Sequence, residues 1–168
     1  FKIAPDASFI SLQPALTGAQ VNGLLAKYSK KIGPDPASIN AAMIGGIAAN
    51  NASGMCCGIS QNSYKTLKSM KLIFADGAKL DTGCQESKDA FRKTHGDFLK
   101  ELKNFSNDTK NNEELRAKIE RKFKIKNTCG YSLNALIDFE DEFEILEHLI
   151  IGSEGTLAFI EEITYYTV

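Results

Sequence analysis

The chain has 168 residues, 43% hydrophobic and 24% charged, with a net charge of −1. That length can bury a core of its own as one domain, and a near-neutral balance without a basic stripe argues against nucleic-acid binding. No apolar run approaches the roughly 20 residues a membrane-spanning helix needs, and the opening residues carry no signal-peptide pattern.

Phe1-Lys2-Ile3 lacks an initiator Met and reads as a strand already under way, so the expectation is a segment of a longer protein. Phe9 to Leu12 alternates as a short strand. Thr17 is placed as the N-cap of a helix carrying Val21, Leu24, Leu25 and Tyr28 at helical spacing. That helix is expected to end in Lys30-Lys31, stopped by Gly33-Pro34. Residues 33 to 63 are rich in Gly, Ala, Ser and Asn with almost no charge, the pattern of a long loop threaded with short helical turns. Leu67 to Ala75 and Lys79 to Thr82 read as strands joined by an Asp76-Gly77 hairpin turn. Residues 84 to 122 read as a charged helical insert lying on the sheet. Phe91, Phe98, Leu99 and Leu102 mark its first helix, Asn104 to Asn112 its break, and Glu113 to Phe123 its second helix. Asp141 to Ile150 is a further helix, Gly152 to Gly155 a tight turn, and Thr156 to Val168 a strand. Strands and helices mix without βαβ alternation, so the fold class is α+β, a mixed or antiparallel sheet flanked by helices.

Cys56, Cys57, Cys84 and Cys129 form no Cys-x-x-Cys pair, which favours free thiols in a reducing cytosol over a metal site. His95 in the charged insert and His148 near a helix end read as surface or helix-end residues, and the acidic run Glu140 to Glu144 as a solvated helix start.

Three stretches of small residues can carry chemistry. Pro34-Asp35-Pro36-Ala37-Ser38 follows an extended path fixed by two prolines. Ile44 to Gly54 has its side chains pared away, so that a flat ligand or a pyrophosphate can approach the main chain. Its successive amides can form an anion nest, and Asn50, Asn51 and Ser53 add polar tips. Gly152-Ser153-Glu154-Gly155-Thr156 is a turn between helix and strand. Neither G-x-G-x-x-G nor G-x-x-x-x-G-K-S/T occurs, which excludes the generic phosphate-loop motifs.

Their order is more specific. Pro-Asp-Pro-Ala-Ser, Gly45-Gly46-x-x-Ala49-Asn50-Asn51-Ala52-Ser53-Gly54, Ala75-Asp76-Gly77, Thr128-Cys129-Gly130-Tyr131-Ser132-Leu133 and Gly152-Ser153-Glu154-Gly155-Thr156-Leu157 together resemble the FAD-linked oxidases. These share the flavin-binding fold of p-cresol methylhydroxylase and vanillyl-alcohol oxidase. The wording is most similar to the D-lactate dehydrogenase and glycolate oxidase flavin subunit group, and within it to bacterial chains with a fused iron–sulfur module. The resemblance spans nearly the whole chain outside residues 84–122.

It implies that residues 1–168 form the second, larger subdomain of an FAD-binding domain. Pro34, Asp35, Pro36 and Ser38 would then lie along the flavin, and Gly45, Gly46, Ala49, Asn50, Ser53 and Gly54 around the pyrophosphate and isoalloxazine. Tyr64 would abut the cofactor, Glu154, Gly155 and Thr156 would belong to the cofactor-binding turn, and the strand after it, with Ile160, would pass the adenine side. Ala158 replaces a usual Gly, Cys56-Cys57 takes no role, and neither histidine matches a covalent attachment position, so the FAD is noncovalent. The resemblance further implies a small subdomain before Phe1, a cap that binds the 2-hydroxy acid, and electron transfer to a quinone or an iron–sulfur module. The protein would be cytoplasmic, peripheral to the inner membrane. No catalytic or metal-binding residue is assigned within this chain. D-lactate is the leading substrate, with glycolate and D-2-hydroxyglutarate as alternatives. An ether-lipid synthase or enolpyruvate reductase fits the Gly-Ser-Glu-Gly-Thr and Gly-Tyr-Ser-Leu segments less well. A cofactor-free interaction module is the contrasting class.

Overall fold

The computed structural model describes residues 1–56, 58–128 and 130–168. Cys57 and Cys129, two of the four thiols considered above, lie outside the described residues; Cys56 is exposed and Cys84 half-buried, both free.

Five strands form one antiparallel sheet: β1 (Lys2–Ile3), β2 (Phe9–Leu12), β3 (Leu67–Ile73), β4 (Lys79–Asp81) and β5 (Phe159–Tyr166), in the order β1-β2-β5-β3-β4. Alternation decides its two faces. Ile10, Leu12, Met70, Leu72, Leu80, Ile163 and Tyr165 turn inward and are almost wholly buried. Register partners pair their polar groups instead, as in Ser11 with Thr164 at 2.8 Å and Lys71 with Glu162 at 2.9 Å.

Among the described residues, seven helices flank this sheet: α1 (Gly18–Leu25), α2 (Ile44–Ala49), α3 (Ser63–Thr66), α4 (Gln85–Asn111), α5 (Glu113–Phe123), α6 (Ala135–Asp138) and α7 (Glu142–Ile150). Val21 and Leu25 of α1, Ile44 and Ile47 of α2, Phe91 and Leu99 of α4, and Phe143, Leu146 and Ile150 of α7 join the strands in one core. Thr17 caps α1 as expected, through a reciprocal capping box with Gln20. The helix stops early, however. It tightens into one 3₁₀ turn over Ala26–Tyr28 and ends at Ser29 with φ +56°. Lys30-Lys31 is therefore not helical, and Lys31 pairs its backbone with Val168.

The Asn-rich stretch from 104 does not break the insert either. The helix α4 continues through it to Asn111, because the facing segment supplies partners: Ser106 Oγ donates to the Leu136 carbonyl at 2.6 Å and Lys110 to the Phe139 carbonyl at 2.7 Å. Only Asn112 interrupts it, leaving α4 to cap α5 with its side chain. The irregularity in α4 lies instead at His95, with φ −125° and ψ 27°. That ring stacks on Phe91 with centroids 4.2 Å apart, and its Nε2 lies 2.9 Å from Asp76.

His148 lies in the last turn of α7, as expected, but not at the surface. It is buried on α7, stacked on Phe139 and edge-on to Tyr64, and its Nδ1 donates to the Glu144 carbonyl. The apolar stripe of α7 extends far enough round the helix to carry both Glu147 and His148 inward. Burial pushes Glu147 up to about 7, against an opposing hydrogen bond from Thr82, and pushes His148 down to about 4.

The two groups give stability opposite pH slopes. Glu147 loses its proton from about 4.5 in the unfolded chain but only near 7 when folded, so it weakens the fold as pH rises through that window. His148, protonating first in the unfolded chain below 6.5, weakens the fold as pH falls toward 4. Relative to the parent, Glu147→Gln should therefore gain stability steadily between pH 4.5 and 7, by up to about 3 kcal/mol. Urea unfolding midpoints across that range test it; a difference independent of pH would place the titration elsewhere.

Candidate cofactor site

The stretch Ile44 to Gly54 begins as helix and not as an open loop. Ile44, Ile47 and Ala48 anchor α2 in the core, while Gly45 lets it sit against Pro14, whose Cβ lies 2.8 Å from where a Gly45 Cβ would be. The helix closes in a Schellman motif. Asn51 takes the left-handed position at φ +47° and donates its amide to Ala48, and Ala52 donates to Ile47. Asn51 is thus a buried cap residue whose Oδ1 accepts from the Tyr64 amide, not a polar tip.

The turn after α7 docks on the end of α2. The amide of Gly152 donates to the Ala48 carbonyl at 3.1 Å and that of Glu154 to the Ala49 carbonyl at 2.9 Å. Asn50 Nδ2 donates to the Glu154 carboxylate across the join. Ser132 Oγ reaches the Ile151 carbonyl at 2.6 Å, tying in the Gly130–Leu133 segment, and Tyr131 meets Thr156 Oγ1 at 2.9 Å.

Two hollows open beside this join. The first, about 180 Å³, is walled by Pro14, Gly45, Ala49, Ser153, Gly155, Ala158, Phe159 and Ile160. The second, about 650 Å³, lies between the Asp35–Ile39 stretch, Asn50–Cys56, Lys126 and Thr128. Its size is that of a small-molecule site. Neighbouring residues of one helix end, Ala49 and Asn50, line one hollow each.

Of the residues singled out from sequence, Gly45, Ala49, Gly155 and Ile160 line the first hollow, and Asp35, Pro36, Ser38, Asn50, Ser53 and Gly54 the second. Glu154 and Thr156 sit in the connecting turn. Glu154 adopts φ +54° and is engaged with Asn50, and Thr156 Oγ1 donates to the Ser153 carbonyl. Pro34 is buried, and Gly46 is exposed with open space over its Cα. Tyr64 lines neither hollow: its ring packs on Phe139 and His148, and its hydroxyl donates to Asp138 at 2.8 Å. Burial and the Asp138 carboxylate hold that phenol well above its usual range. Neither histidine lines a hollow.

The backbone anion nest is also corrected. The amides of Ile44, Gly45, Asn50, Asn51 and Ala52, and those of Gly152, Ser153, Glu154 and Thr156, already donate to carbonyls of the protein. Close approach, not free amides, is what the small residues provide. Gly54 shows this best: a Cβ there would lie 1.6 Å from the Asp35 carbonyl oxygen. Sequence reasoning missed Pro14, Lys126 and Ser153. Ser153 lay inside a recognised motif, whereas Pro14 carried no signal at all.

A flat, mixed-polarity cofactor fits this arrangement. The first hollow is mostly apolar, yet the Ser153 hydroxyl on its wall is buried and unpartnered within the described residues. A buried hydroxyl left so costs about 1–3 kcal/mol, a cost that a ligand acceptor or donor would remove.

Residues 1–83 match the profile of a family described as "FAD binding domain". The match covers just under half of the chain, and FAD is the cofactor that it supports. No curated protein matches the chain. Among solved structures, it is similar to alkyldihydroxyacetonephosphate synthase in crystal form P1, with 16% identity and a TM-score of 0.54 over 99% of this chain and 20% of that one. The P212121 form of the same synthase gives 16% and 0.53, over 99% and 19%. The chain thus spans about a fifth of those proteins, and the likeness is one of fold: an α+β FAD-binding fold of the p-cresol methylhydroxylase type.

Two substitutions separate the roles of shape and polarity. Ser153→Ala should leave the ligand-free fold unchanged or up to about 1 kcal/mol more stable, since no internal hydrogen bond is lost, while reducing the rise in Tm on adding FAD. Gly54→Ala must displace the Asp35 backbone and should weaken FAD binding at least about tenfold, or about 1.4 kcal/mol. Thermal melts with and without FAD test both, and a Ser153→Ala variant with the full parental rise would remove Ser153 from the site.

Proposed function

We propose that this chain is the FAD-binding portion of a flavin-dependent dehydrogenase that oxidises a D-2-hydroxy acid, D-lactate foremost, to the 2-oxo acid. The observation that carries the reading is the shared hollow. Two sequence segments about a hundred residues apart, 44–54 and 152–156, wall one cavity, and both are segments through which the chain resembles the hydroxyacid dehydrogenases.

When bound, FAD supplies the acceptor for the hydride that leaves the substrate carbon. The residues of this chain would hold and shield it: Gly45, Ala49, Ser153, Gly155 and Ile160 around one part, and Asp35, Pro36, Ser38, Asn50, Ser53 and Gly54 around another. Oxidising a 2-hydroxy acid also needs a group to take the hydroxyl proton and a cation to hold the carboxylate. Asp35 and Lys126 are the only charged side chains lining the hollows among the described residues, so we assign substrate binding and proton transfer to residues beyond these 168. On the same reading the bound FAD is noncovalent, electrons pass to a quinone or an iron–sulfur module, and the protein works in the cytoplasm at the inner membrane.

A second reading follows from the fold neighbours. Two structures similar in fold are crystal forms of alkyldihydroxyacetonephosphate synthase, so an ether-lipid type of reaction on the same cofactor is the alternative. The visible spectrum of the whole protein that carries these residues separates the two. D-lactate should bleach the flavin band under anaerobic conditions. Bleaching by glycolate or D-2-hydroxyglutarate alone would reassign the substrate. A flavin that none of the three reduces would overturn the dehydrogenase reading.

A further inference from the structure

The larger hollow contains one cation. Lys126 follows the end of α5 in an irregular stretch, and its ammonium donates to the carbonyl of Ser53, inside the Gly-Gly to Ser-Gly segment. A neutral carbonyl occupies one of the three ammonium donors, and among the described residues Lys126 makes no ion pair. No Lys or Arg lines the first hollow.

This matters because of where the amides are spent. A dinucleotide brings a pyrophosphate whose negative charge commonly meets free backbone N–H groups at a helix start or nest. Here α2 is a single short helix whose first amides donate to Leu16 and Pro14, and the 152–156 turn uses its amides on Ile150, Ser153 and the end of α2. The only other charge lining the second hollow, Asp35, has the wrong sign. Lys126 is thus the positive charge that lines this hollow among the described residues.

We propose that Lys126 is the charge partner of the dinucleotide's pyrophosphate, held in position by the Ser53 carbonyl. The inference rests on the FAD reading of the site and adds a residue that the sequence motifs did not single out.

The test uses the whole protein carrying these residues, with FAD titrated by flavin fluorescence at several salt concentrations and the midpoint potential of the bound flavin measured. Lys126→Gln is the main variant, because its amide can still donate to Ser53 while the charge is gone; Lys126→Arg keeps the charge. Lys126→Gln should bind FAD about tenfold more weakly, as loss of a charge-assisted hydrogen bond implies. Its salt dependence should be shallower and its midpoint potential unchanged, since the pyrophosphate charge is the same in both oxidation states. Lys126→Arg should bind like the parent. Parental affinity in Lys126→Gln overturns the proposal. So does weaker binding with unaltered salt dependence and a lowered potential, which would make Lys126 a partner of the flavin ring. If the parent itself binds no FAD, the cofactor reading fails and this proposal fails with it; if the parent binds and Lys126→Gln matches it, only the role of Lys126 fails.

Discussion

The site depends on two carbonyls at the end of one short helix. Ala48 and Ala49 close α2, where the last carbonyls of a helix take partners from outside its regular ladder, and Ala48 already accepts from Asn51. The Gly152–Thr156 turn supplies such partners through the amides of Gly152 and Glu154. Main-chain bonds of this kind fix distance and orientation together, and they require a turn whose backbone can present two amides in succession. Gly152 at φ +88° and Glu154 at φ +54° provide it. Without this docking the first hollow loses one wall, since Ser153 and Gly155 face Gly45 and Ala49 only because the turn is held there.

The rest of the fold keeps those two partners still. The core anchors α2 through Ile44, Ile47 and Ala48, and the Schellman closure commits Asn51 and Ala52 before the chain leaves the helix. From the other side, α7 is anchored by Phe143, Leu146 and Ile150 and passes straight into the turn. The sheet continues from it as β5, the central strand, bonded to β2 and β3 on its two edges. A rigid scaffold on both sides of a short join is what precise placement of a ligand needs. Residues of the charged insert stand apart from this arrangement, and none of the hollow-lining side chains comes from α4 or α5.

Much of this was legible in the sequence where local physics decides. Strand alternation placed β2, β3 and β4 closely, Thr17 was placed as the N-cap of α1, and Asp141 to Ile150 was read as a helix. Failures came where partners distant in sequence decide. Nothing local says that Leu136 and Phe139 will offer carbonyls to Ser106 and Lys110, so the Asn-rich stretch looked like a break. His148 looked like a helix-end charge because its neighbours Tyr64 and Phe139 come from other elements. Tyr64 was placed at the cofactor by resemblance, whereas its hydroxyl goes to Asp138 and its ring into the core.

The candidate site shows the same division in finer form. Composition correctly marked 44–54 as a place where side chains are pared away, but gave the wrong reason. Small residues were read as freeing amides for an anion, yet the structure uses those of Ile44, Gly45, Asn50, Asn51 and Ala52 internally and uses the missing side chains for close approach, as at Gly54 against Asp35 and Gly45 against Pro14. That exchange has a chemical consequence. A cradle built from close-packed backbone with its amides already bonded offers shape and an apolar wall, and little positive potential of its own. An anionic part of a ligand would gain from a side chain brought in from elsewhere in the chain. Two polar groups on the hollow walls, the Ser153 hydroxyl and the Lys126 ammonium, come from the 152–156 turn and from the stretch after α5. Recognition is thus divided: shape from 44–54, polarity from segments far along the sequence, and the docking of the turn on α2 joins the first of these to its place.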